Sequence, residues 1–390
     1  MGTTTHVVDP HLDLRDRLQD KESLRQNLLS RGMENVDIDI VEKDYMEWWN
    51  AFRRFEKADE KDAARLKREL KEKCCGLLNA LELPNVVGKE TTSELEFAGM
   101  KNKTKTTAEL EFPTFLTHIS TLKMMGLCRT DSKHGLIHLV GYPATLLKAI
   151  QERITNKLTM TRPVSPPYMV RQAILEACNM NLHSFCSFTE GKEESKMYLP
   201  GVSLPTILAN FVKTNFSENT NEWPICFMAQ GTSYRQPIAM KGLNLFNSVQ
   251  KEKIGIVVMG RSQEECDKEV KKIADVVLNE LESYMGLELQ KETVCVQRLE
   301  KFESQAVQYM NKELIPRNQI IRESKIGSYI SKRLNMTYGD GNEFASHSYL
   351  EIDISSILGS ILEKSYHLSQ KQEEMPQIIK DLVEETSCSI

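Results

Sequence analysis

Tyr45, Trp48, Trp49, Phe52 and Phe55 recur at steps of three and four residues and form one apolar stripe. A polar stretch, Glu56–Asp62, interrupts it, and Leu66, Leu70, Cys74 and Leu77 then form a second stripe. The pattern over residues 12–80 is helical throughout. Two stripes around a short polar turn predict an antiparallel helical hairpin over about Val41–Ala80. At ~1.5 Å per residue each helix would reach ~25–30 Å. Pro84 and Gly88 stop the second helix. Residues 85–111 are polar and Thr-rich, with Lys101, Lys103 and Lys105 close together, and read as a linker or the start of a second domain.

From residue 112 to the end, helical and strand patterns mix. Ala144–Lys157, Ser262–Tyr284 and Ile354–Leu368 are predicted helices, the second with Val270, Ile273, Val277 and Leu281 on one face. Thr161–Pro167 is Pro-rich and extended. Ile225–Met228, Ile254–Met259 and Cys295–Leu299 are predicted strands. The expectation is three segments: a helical region with a hairpin arm (1–84), the linker (85–111) and an α+β domain (112–390).

Composition narrows the classes. The 390 residues are 40% hydrophobic and 27% charged, which excludes a collagen, a fully disordered chain and a disulfide miniprotein. Ile254–Met259, among the longest apolar runs, is far short of the ~20 residues a membrane span needs. Met1–Pro10 has neither the basic region nor the apolar stretch of a secretory signal, and no organelle presequence is visible. The nine cysteines form no C-x-x-C pair, so reduced thiols are expected and no zinc site. His134 and His138 could reach one metal from a helix, but Gly135 lies between them and no third ligand is near, so no metal is expected.

A net charge of −5 means that any nucleic-acid contact must be local. The hairpin offers one. Arg53, Arg54, Lys57, Lys61, Arg65, Lys67, Arg68, Lys71 and Lys73 outnumber six acidic residues over the same stretch. Composition alone favours a solvated helical pair, and the alternative is an arm touching RNA phosphates through Arg53, Arg54, Lys57, Lys61, Arg65 and Arg68. No phosphate-binding glycine loop and no G-x-S-x-G nucleophile elbow is present.

The order of elements carries a resemblance. Leu12-Asp13-Leu14-Arg15, Leu24–Arg31 and Val36-Asp37-Ile38-Asp39 resemble the opening of seryl-tRNA synthetases, where a helical hairpin and a Leu-Pro-Asn turn follow. Here Leu83-Pro84-Asn85 closes the hairpin. His138-Leu139-Val140-Gly141 and Ala144–Ala149 resemble that family's entry into its catalytic domain. Arg162–Val170 is similar to class II motif 1, the dimer-interface strand, and Lys332–Tyr338 resembles the strand before motif 3. The resemblance implies a class II synthetase-like antiparallel sheet flanked by helices, with a shortened arm.

The positions that carry chemistry depart from the family. Its Thr-Ala-Glu triplet after a proline is replaced by Gly201-Val202-Ser203 after Pro200, without the carboxylate that holds the substrate ammonium. Motif 2 offers Phe-Arg-x-Glu, whereas Tyr234-Arg235-Gln236-Pro237 keeps the arginine and puts Pro237 at the glutamate position. A Lys-Val-Glu strand start is matched by Lys251-Glu252-Lys253 or Lys253-Ile254-Gly255, neither with Glu in third place. Aligned on Ile361-Leu362-Glu363, Ser355 and Ser356 stand where motif 3 has Gly-Arg, and no arginine follows Arg333. A phosphate clamp needs a permanent cation in a fixed fork, which serine does not supply.

The resemblance therefore implies a paralogue without aminoacylation and without a cofactor, a binding and assembly subunit. Motif 1, with Pro163, Pro166, Tyr168, Met169, Val170 and Ile174, implies a dimer interface. The partner expected there is a genuine mitochondrial seryl-tRNA synthetase in a heterodimer, with tRNA or other RNA as a further partner. Through a mitochondrial paralogue of the family, the implied location is the mitochondrial matrix. A stand-alone factor in organelle DNA or RNA maintenance and an active ligase with unorthodox residues are the alternatives.

Overall fold

The computed structural model describes residues 10–91, 117–188, 196–218, 222–236, 242–313, 318–371 and 374–381. The N-terminal region is helical, as its periodicity predicts. Helices Pro10–Arg17 and Lys21–Ser30 lead into the arm helices Ile38–Glu56 and Glu60–Leu81. Their 19 and 22 residues correspond to about 29 and 33 Å at 1.5 Å per residue. Asp37 begins the first arm helix by accepting the amides of Asp39 and Ile40 on its carboxylate. Trp48, Cys74 and Leu77 close the seam between the arm helices.

A seven-stranded sheet forms the body, from β1 (Arg162–Pro163), β2 (Ile225–Tyr234), β3 (Gln250–Gly260), β4 (Leu289–Thr293), β5 (Gln305–Asn311), β6 (Gln319–Gly327) and β7 (Ser346–Asp353). Its order is β4-β5-β6-β7-β3-β2-β1. Every pairing is antiparallel except β1 with β2. Because side chains alternate along a strand, Ile254, Ile256 and Val258 of β3 face one way. They pack with helices Tyr142–Lys157, Gln263–Asn279 and Ile354–Lys371 in one core. Val257 and Met259 point into a second core with Leu204, Ile207 and Phe302. The unbroken apolar run of β3 thus reflects burial on both faces.

Three sequence expectations change. Cys295–Leu299 is not a strand: Val296–Arg298 forms a 3₁₀ turn, because Val294–Val296 are buried in succession and Gln297 and Arg298 are exposed, a pattern without alternation. In Lys332–Tyr338 the first half ends helix Tyr329–Leu334, Asn335 reverses the chain at φ +52°, and Thr337–Tyr338 alone is extended. His134 and His138 do not share a helix. They lie on the hairpin of Cys128–Asp131 and Leu136–Leu139, with His134 Nδ1 2.6 Å from Asp131 Oδ2. Among the described residues no group of three potential metal ligands occurs and no helix is long and apolar enough to cross a membrane.

The arm is fixed to the body by buried polar groups. Arg333, fully buried, donates to the Tyr329 hydroxyl at 2.7 Å and to the Leu81 carbonyl, and its Nε lies 3.5 Å from Asp13. Asn85 Nδ2 donates to the carbonyls of Phe302 (2.8 Å) and Ile326 (2.7 Å), and the Gly88 amide donates to Ser304 at 2.7 Å. The first residues of the expected linker are therefore pinned to the sheet; Lys101, Lys103 and Lys105 lie outside the described residues.

Candidate functional site

The face of the sheet turned away from the helices Gln263–Asn279 and Ile354–Lys371 holds a cleft of about 270 Å³, lined among others by Arg235, Glu300, Glu303, Arg322, Tyr349 and Glu351. Strand alternation assembles it: Tyr349, Glu351 and Asp353 take one face of β7, while Leu350 and Ile352 join the core beneath the helices.

Charges of opposite sign meet across the strands. Lys253 Nζ lies 2.6 Å from Glu351 Oε1, and Lys251 Nζ lies 2.6 Å from Asp353 Oδ2. The strand register pairs Glu351 with Gly255 and Asp353 with Lys253, so both contacts are diagonal neighbours on one sheet face. Arg322 grips Glu303 with two bonds, 2.8 and 2.6 Å, and Ser324 adds a third at 2.5 Å. Burial alone would raise the Glu351 carboxyl; Lys253 and Arg235 outweigh it and bring it down to about 2. Burial and the neighbouring Glu303 push Glu300 up.

Ser355 and Ser356 open the helix Ile354–Lys371 at the end of β7. Ser355 Oγ accepts the Glu252 amide at 2.9 Å, and Ser356 Oγ accepts Lys251 Nζ at 3.2 Å. The Ser356 amide donates to Asp353 Oδ1 at 2.8 Å. A lysine of the chain itself thus sits on Asp353 and Ser356 at the start of this helix.

Gly201, Val202 and Ser203 are not among the residues that line the cleft. Gly201 bridges Ser233 at φ +67°, and a Cβ there would fall 2.1 Å from the Thr232 carbonyl oxygen. Only glycine tolerates that backbone and that approach. The Val202 amide donates to Thr232, and Ser203 caps helix Leu204–Leu208 through Thr206; both side chains are buried. Gly255 makes a second close approach: a Cβ there would lie 2.8 Å from the Tyr349 hydroxyl oxygen. The register Lys253-Ile254-Gly255 therefore brings a glycine diagonally beside a buried tyrosine. Burial and the charge of Glu351 raise the Tyr349 hydroxyl well above its ordinary value.

Arg235 is placed in the cleft, its guanidinium 4.3 Å above the Phe185 ring, with no ion pair among the described residues. Pro237 lies outside the described residues. Glu303, Arg322, Tyr349 and Glu351 line the cleft although sequence reasoning did not single them out, and Lys251 and Lys253 entered that reasoning only as strand-start positions. The available signal was the alternation Tyr349, Glu351, Asp353 within an otherwise apolar strand.

The arm carries most of its candidate cations near its tip. Arg53, Arg54, Lys57 and Arg65 line one recess near its tip with Asp59 and Asp62, while Lys61 and Arg68 are exposed beside it. Arg54 pairs with Glu69 and Arg65 with Asp62. Arg53, Lys57, Lys61 and Arg68 make no ion pair among the described residues.

Motif 1 divides in two. Pro163, Tyr168 and Met169 are exposed, whereas Pro166, Val170 and Ile174 are buried. Val170 and Ile174, expected at an interface, belong instead to this chain's own core, because the short helix Gln172–Ala177 turns inward against it.

No protein-family model and no curated protein matches the sequence. Solved structures do. The seryl-tRNA synthetase of Pyrococcus horikoshii complexed with ATP is similar with a TM-score of 0.70 at 18% identity, over 90% of this chain and 94% of that one. The cytoplasmic serine-tRNA ligase of Naegleria fowleri in complex with AMP gives 0.68 at 17% identity, over 92% and 93%. The prolyl-tRNA synthetase of Cryptosporidium parvum gives 0.55 at 14% identity, over 63% of this chain and 51% of that one. The chain has the class II synthetase-like fold, an α+β arrangement of an antiparallel-rich sheet flanked by helices.

Proposed function

We propose that this chain is a seryl-tRNA synthetase paralogue that does not form an aminoacyl-adenylate and acts as a binding and assembly subunit. One observation carries the reading: the cleft floor is occupied by the chain's own ion pairs. An adenylating site needs unpaired cations for phosphate and an unpaired carboxylate for the amino acid's ammonium. Here Lys251 is held by Asp353 and Ser356, Lys253 by Glu351, and Arg322 by Glu303. Breaking a buried pair to free one partner costs about 3–5 kcal/mol, so a ligand would have to overcome several such terms. Of the two arginines that line the cleft, Arg235 is the one without an ion pair among the described residues.

The finer identity follows the sequence resemblance. The pattern of lost positions resembles that of the seryl-tRNA synthetase-like insect mitochondrial protein, which implies the mitochondrial matrix and a genuine mitochondrial seryl-tRNA synthetase as heterodimer partner. Its role there would be to support tRNA(Ser) aminoacylation or RNA binding. Exposed Tyr168 and Met169 are the part of motif 1 available to that partner. The unpaired cations Arg53, Lys57, Lys61 and Arg68 support an RNA contact by the arm and keep a second reading in view, a nucleic-acid-binding factor acting alone. Serine-dependent ATP–pyrophosphate exchange tests the absence of adenylation. Co-purification of the full chain with the mitochondrial synthetase tests the partnership and separates the two readings.

A further inference from the structure

Helices His118–Met124, Tyr142–Lys157 and Ile354–Lys371 lie on the side of the sheet opposite the cleft. Between them is a cavity of about 460 Å³, whose fourth wall is the C-terminal segment at Met375 and Ile379. Leu122, Leu146 and Leu362, all buried, form its floor. Its mouth is at Met125 and Tyr142, which are 59% and 41% exposed. The fourth wall is pinned to the body: Ile378 is buried in the core beneath the helices, and the Tyr284 hydroxyl donates to Asp381. The volume is about three times the ~150 Å³ that holds a benzene in a protein core, and it falls in the range of small-molecule sites.

Most polar groups of the wall are already bonded. His118 Nδ1 lies 2.6 Å from Glu363 Oε1, and His118 Nε2 accepts the Leu245 amide at 3.3 Å. Ser365 and Ser369 donate to the carbonyls of Ile361 and Tyr366, each at 2.7 Å. Two lining hydroxyls have no hydrogen-bond partner among the described residues, those of Thr121 and Tyr142. Partial burial raises the Tyr142 hydroxyl, so it keeps its proton and can donate at neutral pH. This arrangement selects the occupant. A polypeptide segment entering the cavity would bury amides and carbonyls for which the bonded walls offer no partner. An aliphatic chain carries no such groups, and a single polar end suffices for the two hydroxyls.

We propose that this cavity binds a free fatty acid, its chain against Leu122, Leu146 and Leu362 and its carboxylate accepting from Thr121 and Tyr142. No lysine or arginine lines the cavity, so the chain contributes more to affinity than the head group. Each further methylene buried should raise affinity about fourfold until the cavity is full, after which added length gains nothing. The cavity shares no lining residue with the cleft, so its occupancy does not depend on whether the chain forms an adenylate.

The test is isothermal titration calorimetry of the full-length chain with octanoate, decanoate, laurate, myristate and palmitate, each below its critical micelle concentration. One saturable site is expected, with the rise in affinity levelling off within the series. Ser365→Phe, which puts a ring into the cavity from a half-buried wall position, should weaken laurate at least about tenfold and leave the melting temperature unchanged or raised. Tyr142→Phe should weaken laurate about threefold to tenfold. Circular dichroism melting checks that both variants fold. The absence of a saturable site, or affinity that still climbs at palmitate, overturns the proposal, the latter as unspecific adsorption. Laurate affinity unchanged in Ser365→Phe places the ligand elsewhere and overturns it too, and unchanged affinity in Tyr142→Phe overturns the placement of the carboxylate. Binding to phosphatidylcholine vesicles without binding of laurate would make this face a membrane contact instead. If no fatty acid binds and Ser365→Phe breaks a complex with the synthetase, the cavity is a protein contact and the proposal fails.

Discussion

Lys253 Nζ stands 2.6 Å from Oε1 of Glu351, joining the central strands β3 and β7 across the open face of the sheet. Both side chains are largely buried, so each carries a desolvation cost that the other helps to offset. Lys253→Met should strand the carboxylate and destabilise the chain by about 3–5 kcal/mol, and Glu351→Leu should do the same to the ammonium. The double variant should recover most of that loss. Chemical denaturation of the four proteins measures the coupling, and strictly additive losses would show that the pair is not a unit.

The same pair predicts an acid limit. The folded-state value of Glu351 is lowered from 4.5 to about 2. Its contribution to stability is therefore complete above the unfolded value and is lost as pH falls from about 4.5 toward 2. Glu351→Gln should flatten the fall in melting temperature over that window. An unchanged slope would assign acid sensitivity to other carboxylates.

Arg333 is the residue that binds the arm to the body. Arg333→Met removes its bonds to Leu81 and Tyr329 and leaves buried Asp13 with Arg17 at 3.5 Å as its remaining ion pair. The expected cost is about 3–5 kcal/mol, with faster proteolysis near residues 81–85 than elsewhere in the chain. Uniform proteolysis would show that the arm and body do not separate at this joint.

What could be read in the sequence was local. The arm was legible because Tyr45, Trp48 and Phe52 repeat with helical period, and β3 because Ile254–Met259 is continuously apolar. Lys332–Leu334 was read as strand because a resemblance in motif order does not fix local conformation; Arg333 on the helix found there has its partners, Leu81 and Asp13, over 250 residues away. The departures that the resemblance implies at Gly201–Ser203 and Ser356 were visible by position, but not the contacts these residues make. Lys251 reaching Ser356, or Tyr349 over Gly255, depends on strand register, and register is set by pairing between distant segments. Val170 and Ile174 were assigned outward because apolar character alone does not say which side of a short helix faces the core.

For the partnership, the exposed pair Tyr168 and Met169 is the informative target. Charging it with Tyr168→Asp and Met169→Asp should dissociate the co-expressed heterodimer while leaving melting of the isolated chain within about 1 kcal/mol, since neither is buried. Ile174→Asp should instead unfold the chain. Size-exclusion with light scattering reads both. A heterodimer that survives the double variant places the interface elsewhere.

The most direct test of the central claim is serine-dependent ATP–pyrophosphate exchange by the purified full-length chain. The account predicts exchange no greater than the buffer control, both for the wild type and for Ser356→Arg, because on the proposed reading Gly201–Ser203 supply no ammonium-binding carboxylate and Lys251 and Lys253 are already paired. Exchange above the control that requires serine and ATP together would contradict it and establish an active ligase with unorthodox residues.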